Sequence, residues 1–334
     1  MVSVVVYQKG NIMLNKNMIN LLRKKFNESL FFVRIFNYNN ITYIWNDPQI
    51  YIKLEDDFLN IKNIDIFVKI TIKLFKNKIE KKYESQKSTL LSVIIPNYNN
   101  ELTIKNTIDS ILNNKYKNFE IIIIDDCSTD KSVEIIRKNY KNNPKIKLYI
   151  NNKNHGTFYG RNKGILLSNG YYIANVDGDD TIHPNKFLFE ISQLEKENKN
   201  GLKYWGYGTN FTRLYYVNNP KNIIKRKIIN NKVLFTCYRK LFNYMGYYNE
   251  ARYGADPEYF TIRAKYYNYK FYANHSRNYY YALSTNGKNL TRIISHQDKM
   301  KYYNIMHKKN RNYEYIEMAL LDNLDDFLDL FFKK

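Results

Sequence analysis

Cysteine is almost missing from this 334-residue chain. The two present, Cys127 and Cys237, lie far apart and suit neither a disulfide framework nor a metal knuckle. Glycine (12 residues) and proline (6) are too scarce for a fibrous or low-complexity protein. No run of about 18 uncharged apolar residues occurs, so no membrane span is expected. The opening MVSVVVYQKG has a short apolar run but no basic residue ahead of it and no small-residue cleavage site, so no signal peptide is read. A reducing, cytoplasmic setting fits these absences. Acidic residues are outnumbered as well: 31 Asp and Glu stand against 53 Lys and Arg, a net charge of +22.

What is abundant is Tyr, with 33 residues against 2 Trp, and Asn, Lys and Ile recur throughout. Hydrophobic residues reach 44%, enough for a sizeable core and too many for wholesale disorder. The lysines are spread evenly, which reads as solvated surface. A positive field would also suit a nucleoside diphosphate. No RNA- or DNA-binding signature accompanies the charge, so nucleic acid is not expected as a partner.

Residues 1–85 read as an α+β segment of unassigned role. Met1–Tyr7 and the β-branched, aromatic stretch Phe31–Tyr43 predict short strands. Ile64–Ile79 mixes apolar residues and Lys at near-helical spacing, which suits a helix packed on a core or a basic amphipathic helix on a membrane surface. The polar stretch Lys81–Ser88 is the expected linker. From Leu90 the texture changes. Apolar runs at Leu90–Pro96, Phe119–Ile124, Lys145–Ile150 and Tyr171–Val176 alternate with helical patterns at Leu102–Leu112, Lys131–Tyr140 and Thr157–Ser168. That alternation predicts α/β architecture with a mostly parallel sheet covered on both faces. A helix is expected from Pro184 to about Glu197, another beginning near Asp256, and an acidic amphipathic one over Leu320–Phe332. Residues 201–250 carry no clear pattern.

The chemistry gathers at the strand ends, where open α/β sheets bind ligands. The first run delivers Pro96-Asn97-Tyr98-Asn99, the second Asp125-Asp126-Cys127-Ser128-Thr129-Asp130, and the fourth Asp177-Gly178-Asp179-Asp180. Converging carboxylates repel unless a cation or hydrogen-bond donors meet them, and hard oxygen ligands suit Mg²⁺ or Mn²⁺. Each loop has a plainer alternative. Asp130 also reads as a helix N-cap, and Gly178 as the pivot of a tight turn.

In this order the motifs resemble the donor-binding half of glycosyltransferase family 2, the inverting enzymes of GT-A fold. The resemblance rests on Val93–Asn99, Ile124–Asp130, Asn154-His155-Gly156 leading to Gly160-Arg161-Asn162-Lys163-Gly164, and Gly170–Ile173 running into Asp177–Asp180. It implies a GT-A domain over residues 90–300, with residues 90–182 for the nucleotide-sugar and metal, 183–300 for the acceptor, and 301–334 as a helical tail. The implied donor is a nucleotide-diphosphate sugar, with UDP favoured. Pro96, Tyr98, Asn99 and Asp126 would hold the nucleoside, Asp126 accepting the uracil N3–H. Asp177 and Asp179 would hold the metal, with Gly178 between them. Arg161 would lie near the phosphates or pair with a strand-end Asp.

The resemblance also implies a carboxylate base for the acceptor hydroxyl. Asp256 in Gly254-Ala255-Asp256-Pro257-Glu258 falls on that position, with Glu258 as the second choice. Ala255 stands where the family usually has Glu. Asp256 followed by Pro257 also suits an N-cap and first helical residue. Two functional readings follow: a transferase acting on a glycan, lipid or protein acceptor, and a sugar-nucleotide or glycan-binding protein that has lost the base. Peripheral membrane contact through Ile64–Ile79 is an added expectation. His183, just after the carboxylates, reads as solvent-facing rather than as a ligand.

Overall fold

The computed structural model describes residues 6–8, 11–14, 16–28, 33–38, 41–47, 50–54, 64–85, 89–216, 223–230, 234–248 and 258–285. The first part is α+β, as its composition predicts. Strands β1 (Val6–Gln8) and β2 (Asn11–Met13) form a hairpin, followed by helix α1 (Lys16–Glu28). The β-branched and aromatic residues beyond it form an antiparallel meander of β3 (Arg34–Tyr38), β4 (Ile41–Asp47) and β5 (Ile50–Lys53). Helix α2 (Ile64–Ser85) closes the layer. Its buried face, with Phe67, Phe75 and Ile79, joins Phe26, Ile35 and Ile44 in a core of its own.

The expected linker is corrected here. Residues 81–85 are the last turn of α2, and Tyr83 within it is buried. Its hydroxyl donates to Asn243 Oδ1 (3.0 Å) and accepts from Arg239 (3.0 Å). A polar stretch became helix because one aromatic residue in it found a buried pocket with partners for its hydroxyl.

The next strands follow the apolar runs. They are β6 (Leu91–Asn97), β7 (Phe119–Asp125), β8 (Ile146–Ile150) and β9 (Tyr172–Asn175), separated by α3 (Ile104–Leu112), α4 (Ser132–Tyr140) and α5 (Thr157–Leu167). Every position of β6 and β7 is buried, since helices cover both faces. The four strands pair in parallel in the spatial order β8-β7-β6-β9. The chain therefore winds outward from β6 in one direction and then returns to its other side. That reversal is a topological switch point, and in open α/β sheets the crevice beyond the C-terminal ends of such strands, here β6 and β9, is where ligands bind.

Residues 181–285 extend the same sheet with mixed pairing. They supply β10 (Thr181–Ile182), α6 (Lys186–Glu197), β11 (Gly206–Tyr216), β12 (Ile223–Ile229), β13 (Thr236–Tyr238), α7 (Lys240–Met245) and β14 (Phe271–Thr285). A π-helical turn, Glu258–Arg263, runs into a helical turn at Ala264–Tyr266 before β14. The nine strands of this sheet take the order β10-β14-β11-β13-β9-β6-β7-β8, with β12 beside β11. β13 runs antiparallel to both of its neighbours. The described residues of the patternless region 201–250 thus hold three strands and α7. The expected helix at Leu320–Phe332 lies outside the described residues.

One buried ion pair fixes the extension. Lys186 Nζ donates to both oxygens of Glu190 (2.6 and 2.7 Å), which also accept from Thr209 N, Thr209 Oγ1 and Thr236 Oγ1. A buried carboxylate is tolerable only when paired and fully hydrogen-bonded, and here it pins α6 to β11 and β13. Closer to the crevice, α5 lies on β6 at Gly164, where a Cβ would run into Ile94 Cγ2. Alanine there gains about 1 kcal/mol of helix propensity, but overpacking costs about 1–3 kcal/mol. Gly164→Ala should therefore be neutral to destabilising by up to about 2 kcal/mol in urea unfolding, where an open helix face would show a gain.

Candidate functional site

β7 ends in two adjacent carboxylates, both buried. Each is met by donors from other loops. Asp125 accepts from Asn97 Nδ2 (2.7 Å) at the end of β6, and from Ser128 N (2.9 Å) and Ser128 Oγ (2.7 Å) in its own loop. Asp126 accepts from Asn151 Nδ2 (2.8 Å), from His155 N at both oxygens (2.9 and 3.0 Å) and from Gly156 N (2.6 Å). Asp126 thereby ties the loop after β8 to the start of α5. A carboxylate has about four acceptor positions, and at Asp126 three N–H donors share them, that of His155 spanning both oxygens. A uracil N3–H would have to compete with these donors.

The loops after β6 and β7 clasp each other reciprocally. Asn99 N donates to Ser128 Oγ (3.0 Å), while Thr129 N donates to Asn99 Oδ1 (2.8 Å). Glu101 N donates to Asp130 Oδ2 (2.9 Å), and Lys131 N donates to Glu101 Oε2 (3.1 Å). Asp130 also accepts from Ser132 N (2.9 Å), so it steadies the first turn of α4 from two residues ahead of it. Asn99 (φ 53°) and Cys127 (φ 64°) take left-handed backbone conformations at the turns. Pro96 is buried within β6 and Tyr98 stands exposed at the mouth.

The tetrapeptide Asp177–Asp180 lies beside this clasp. Gly178 N donates to Pro96 O (3.3 Å), and its carbonyl accepts from Thr103 Oγ1 (3.2 Å), just before α3, and Thr107 Oγ1 (3.0 Å) within it. A Cβ at Gly178 would come within 2.7 Å of Asn97 Oδ1 and Asn100 Nδ2 and 3.3 Å of Pro96 O, so a larger residue would have to push those two side chains aside. Asp177 N donates to Tyr280 Oη (3.1 Å) on β14. Burial, with Asp180 and Asp177 nearby, holds the Tyr280 phenol far above its usual range, so it stays protonated. Asp179 is half-buried. Burial first, and the adjacent Asp177 second, push its carboxyl up to about 7. A negative charge at that position is poorly compensated by the chain itself.

Arg161 on α5 meets Asp177 at 2.7 Å, with side chains 3% and 38% exposed. Its guanidinium lies over the Phe158 ring (5.1 Å) and near Tyr248 (6.0 Å). Of the two readings for Arg161, the pairing with a strand-end Asp is the observed one. Beneath it, Asn162 exchanges two hydrogen bonds with the Tyr248 backbone (2.9 and 3.0 Å), and Asn175 Nδ2 donates to Tyr248 Oη (3.0 Å). His183 accepts from Asn185 N through Nδ1 and stacks on Tyr279 at 4.6 Å, turned to the helix start rather than to the carboxylates. Asp256 lies outside the described residues. Glu258 opens the π-helical turn, and its side chain lies outside them too.

The structure thus brings together Pro96, Tyr98, Asn99, Asp126, Arg161, Asp177, Gly178 and Asp179. Sequence reasoning missed the residues that satisfy them: Asn151, Ser128, Thr103, Thr107, Tyr280 and Tyr248. Asn151 had a signal, since it follows an apolar strand at the same edge as Asp125 and Asp177. Tyr280 and Tyr248 had none, coming from distant, Tyr-rich sequence. Among the described residues no three His, Cys, Asp or Glu side chains form a complete metal cage. No helix among them is long and apolar enough to cross a membrane.

Comparison with known proteins bears on this arrangement. Residues 92–255 match the model of glycosyl transferase family 2. A Haemophilus influenzae protein described as an uncharacterized glycosyltransferase is 42% identical over 103 residues, covering 31% of this chain and 41% of that protein. Chondroitin synthase of Escherichia coli is 31% identical over 137 residues, covering 38% of this chain and 20% of the synthase. The chain therefore matches less than half the length of these relatives. The crystal structure of S. aureus TarS 1–349 in complex with UDP-GlcNAc superposes with a TM-score of 0.49 at 21% identity, covering 65% of each chain.

The bonding of Asp126 makes it a structural residue before any ligand arrives. Asp126→Asn would set an NH₂ group against the His155 and Gly156 N–H groups, at a cost of about 1–3 kcal/mol. The nucleotide-free variant should unfold at correspondingly lower urea. Unchanged stability would mean that the loop does not depend on this carboxylate.

Proposed function

We propose, for a chain whose residues 92–255 match the model of glycosyl transferase family 2, that the crevice beyond β6 and β9 binds a nucleotide-diphosphate sugar and that the protein transfers the sugar to an acceptor hydroxyl with inversion. The observation that carries this reading is Asp179 beside Asp177. The first is half-buried, its carboxyl raised by burial and by its neighbour, at the switch point of the sheet. Such a pair fits a divalent cation, which removes the repulsion that the chain leaves uncompensated. Two carboxylates without a full cage suit Mg²⁺ or Mn²⁺, ions that take further oxygens from substrate phosphates. Asp177 and Asp179 would hold the ion, which when bound neutralises charge on the departing diphosphate.

The chain's own groups do the rest. Arg161 orients Asp177. The clasp of Asn99, Ser128 and Asp130 shapes the nucleoside side, with Pro96 and Tyr98 at its wall and mouth. UDP is the first nucleotide to test, because Asp126 stands where the family resemblance puts the uracil acceptor. It would exchange a backbone donor for the base. In the transfer, the acceptor oxygen forms its bond to the anomeric carbon as the bond to the diphosphate oxygen breaks. The hydroxyl proton passes to a carboxylate, for which Asp256 is the proposed base and Glu258 the alternative. The acceptor class, glycan, lipid or protein, is open to the same assay.

The test is release of UDP from a panel of UDP-sugars with Mn²⁺ present, water serving as acceptor of last resort. One donor should support release. Asp179→Asn should lower the rate about 100-fold or more, and Asp256→Asn about 100-fold or more. Release that neither substitution affects would refute the site. Donor binding without any release would favour the binding-protein reading, which Ala255 supports.

A further inference from the structure

Helix α2 shows two apolar faces, one packed into the fold and one exposed. Phe67, Val68, Thr71, Phe75, Ile79 and Tyr83 are buried against the first part of the fold and α7. On the opposite side Ile66 is 51% exposed, Ile70 42% and Leu74 40%. These three stand four residues apart and form a single row about 12 Å long. At about 100° per residue, Lys69 and Lys73 border the row on one side, and Lys78 and Lys81 follow it beyond Leu74, all exposed. The acid on this arc, Asp65, is bonded to Lys25 of α1 at 3.0 Å. Glu80 is turned away, meeting Lys240 at 3.3 Å and Tyr244 Oη at 2.7 Å.

We propose that this face of α2 is a docking surface for an anionic lipid bilayer. Three large aliphatic side chains in a row, exposed, with lysines along one side and beyond the end, match the demands of a headgroup interface: apolar groups to enter the acyl boundary, cations to meet the phosphates. The lysine stems can lie along the row while their ammonium groups reach outward. The charge argues against a second copy of the same face, since two lysine-bordered rows would repel each other. An anionic surface is the complementary partner, and the chain's net charge of +22 draws it in the same direction. The helix is firmly mounted. Tyr83 bonds to Asn243 and Arg239, and Arg239 also donates to Ile165 O at the end of α5, the helix that carries Arg161. A bilayer held by α2 would therefore hold the crevice in one orientation above it.

The test is co-sedimentation of the full chain with phosphatidylcholine vesicles, with and without 30 mol% phosphatidylglycerol, across a salt series. Because a strongly cationic protein can bind such vesicles anywhere on its surface, the deciding variant keeps every charge: Ile66→Gln with Ile70→Gln and Leu74→Gln. Wild type should pellet with anionic vesicles and stay in solution with neutral ones. The triple variant should lose at least tenfold in vesicle affinity while keeping its thermal midpoint. Lys69→Gln with Lys73→Gln should lose about fivefold per lysine and flatten the salt dependence. Wild type that fails to pellet with anionic vesicles at low salt overturns the proposal. So does pelleting that the triple variant leaves unchanged. A concentration-dependent dimer in sedimentation velocity, abolished by the triple variant, would replace the bilayer with a second copy.

Discussion

Two carboxylates side by side at the end of a fully buried strand must be matched by donors, and the crevice is built around that requirement. Asp125 draws in the end of β6 through Asn97 and closes its own loop through Ser128. Asp126 draws in the loop after β8 and the first residues before α5. Strands that diverge in sequence are thus held together at their C-terminal edge by four acceptor oxygens. Unmatched, each carboxylate would cost several kcal/mol at this depth. The same oxygens that anchor the loops leave them shaped for a ligand at the switch point.

Asp179 is the exception in this economy of matched charge. Asp125, Asp126 and Asp177 each have donors within the chain, Asp177 through Arg161. Asp179 instead meets burial and a neighbouring carboxylate, which raise its carboxyl far above the usual range. A site that satisfies its neighbours and leaves this group uncompensated is prepared for something that arrives with positive charge. Support for that arrangement reaches far from it. Arg239 donates to Tyr83 of α2, to Ser168 and to Ile165 O, linking the first part of the chain to the helix that carries Arg161.

The architecture was legible where the sequence was most uniform. Short apolar runs such as Phe119–Ile124, bounded by polar residues and alternating with helical patterns, read as strands covered on both faces, and their polar ends marked the edge that carries Asp125 and Asp177. Arg161 was legible as a residue but not as a partner, because pairing across the crevice depends on where α5 crosses β6. The region 201–250 was illegible for a physical reason. Its strands run in mixed directions and bury residues on both faces, Cys237 on one and Tyr238 on the other, so no single period emerges. Lys81–Ser85 misled because polarity suggests a linker, whereas one buried Tyr83 with two side-chain partners decides its position. The carboxylate at Asp126 also reads differently in three dimensions: the sequence offers it to a base, and the fold engages it first with its own backbone.

The most direct measurement is titration calorimetry of UDP into the protein with and without Mn²⁺, for wild type and Asp179→Asn. The account predicts that Mn²⁺ tightens UDP binding at least tenfold in wild type, and that Asp179→Asn removes this dependence while leaving the fold intact. UDP that binds equally well with and without metal, or that responds to Mn²⁺ identically in both proteins, would contradict it.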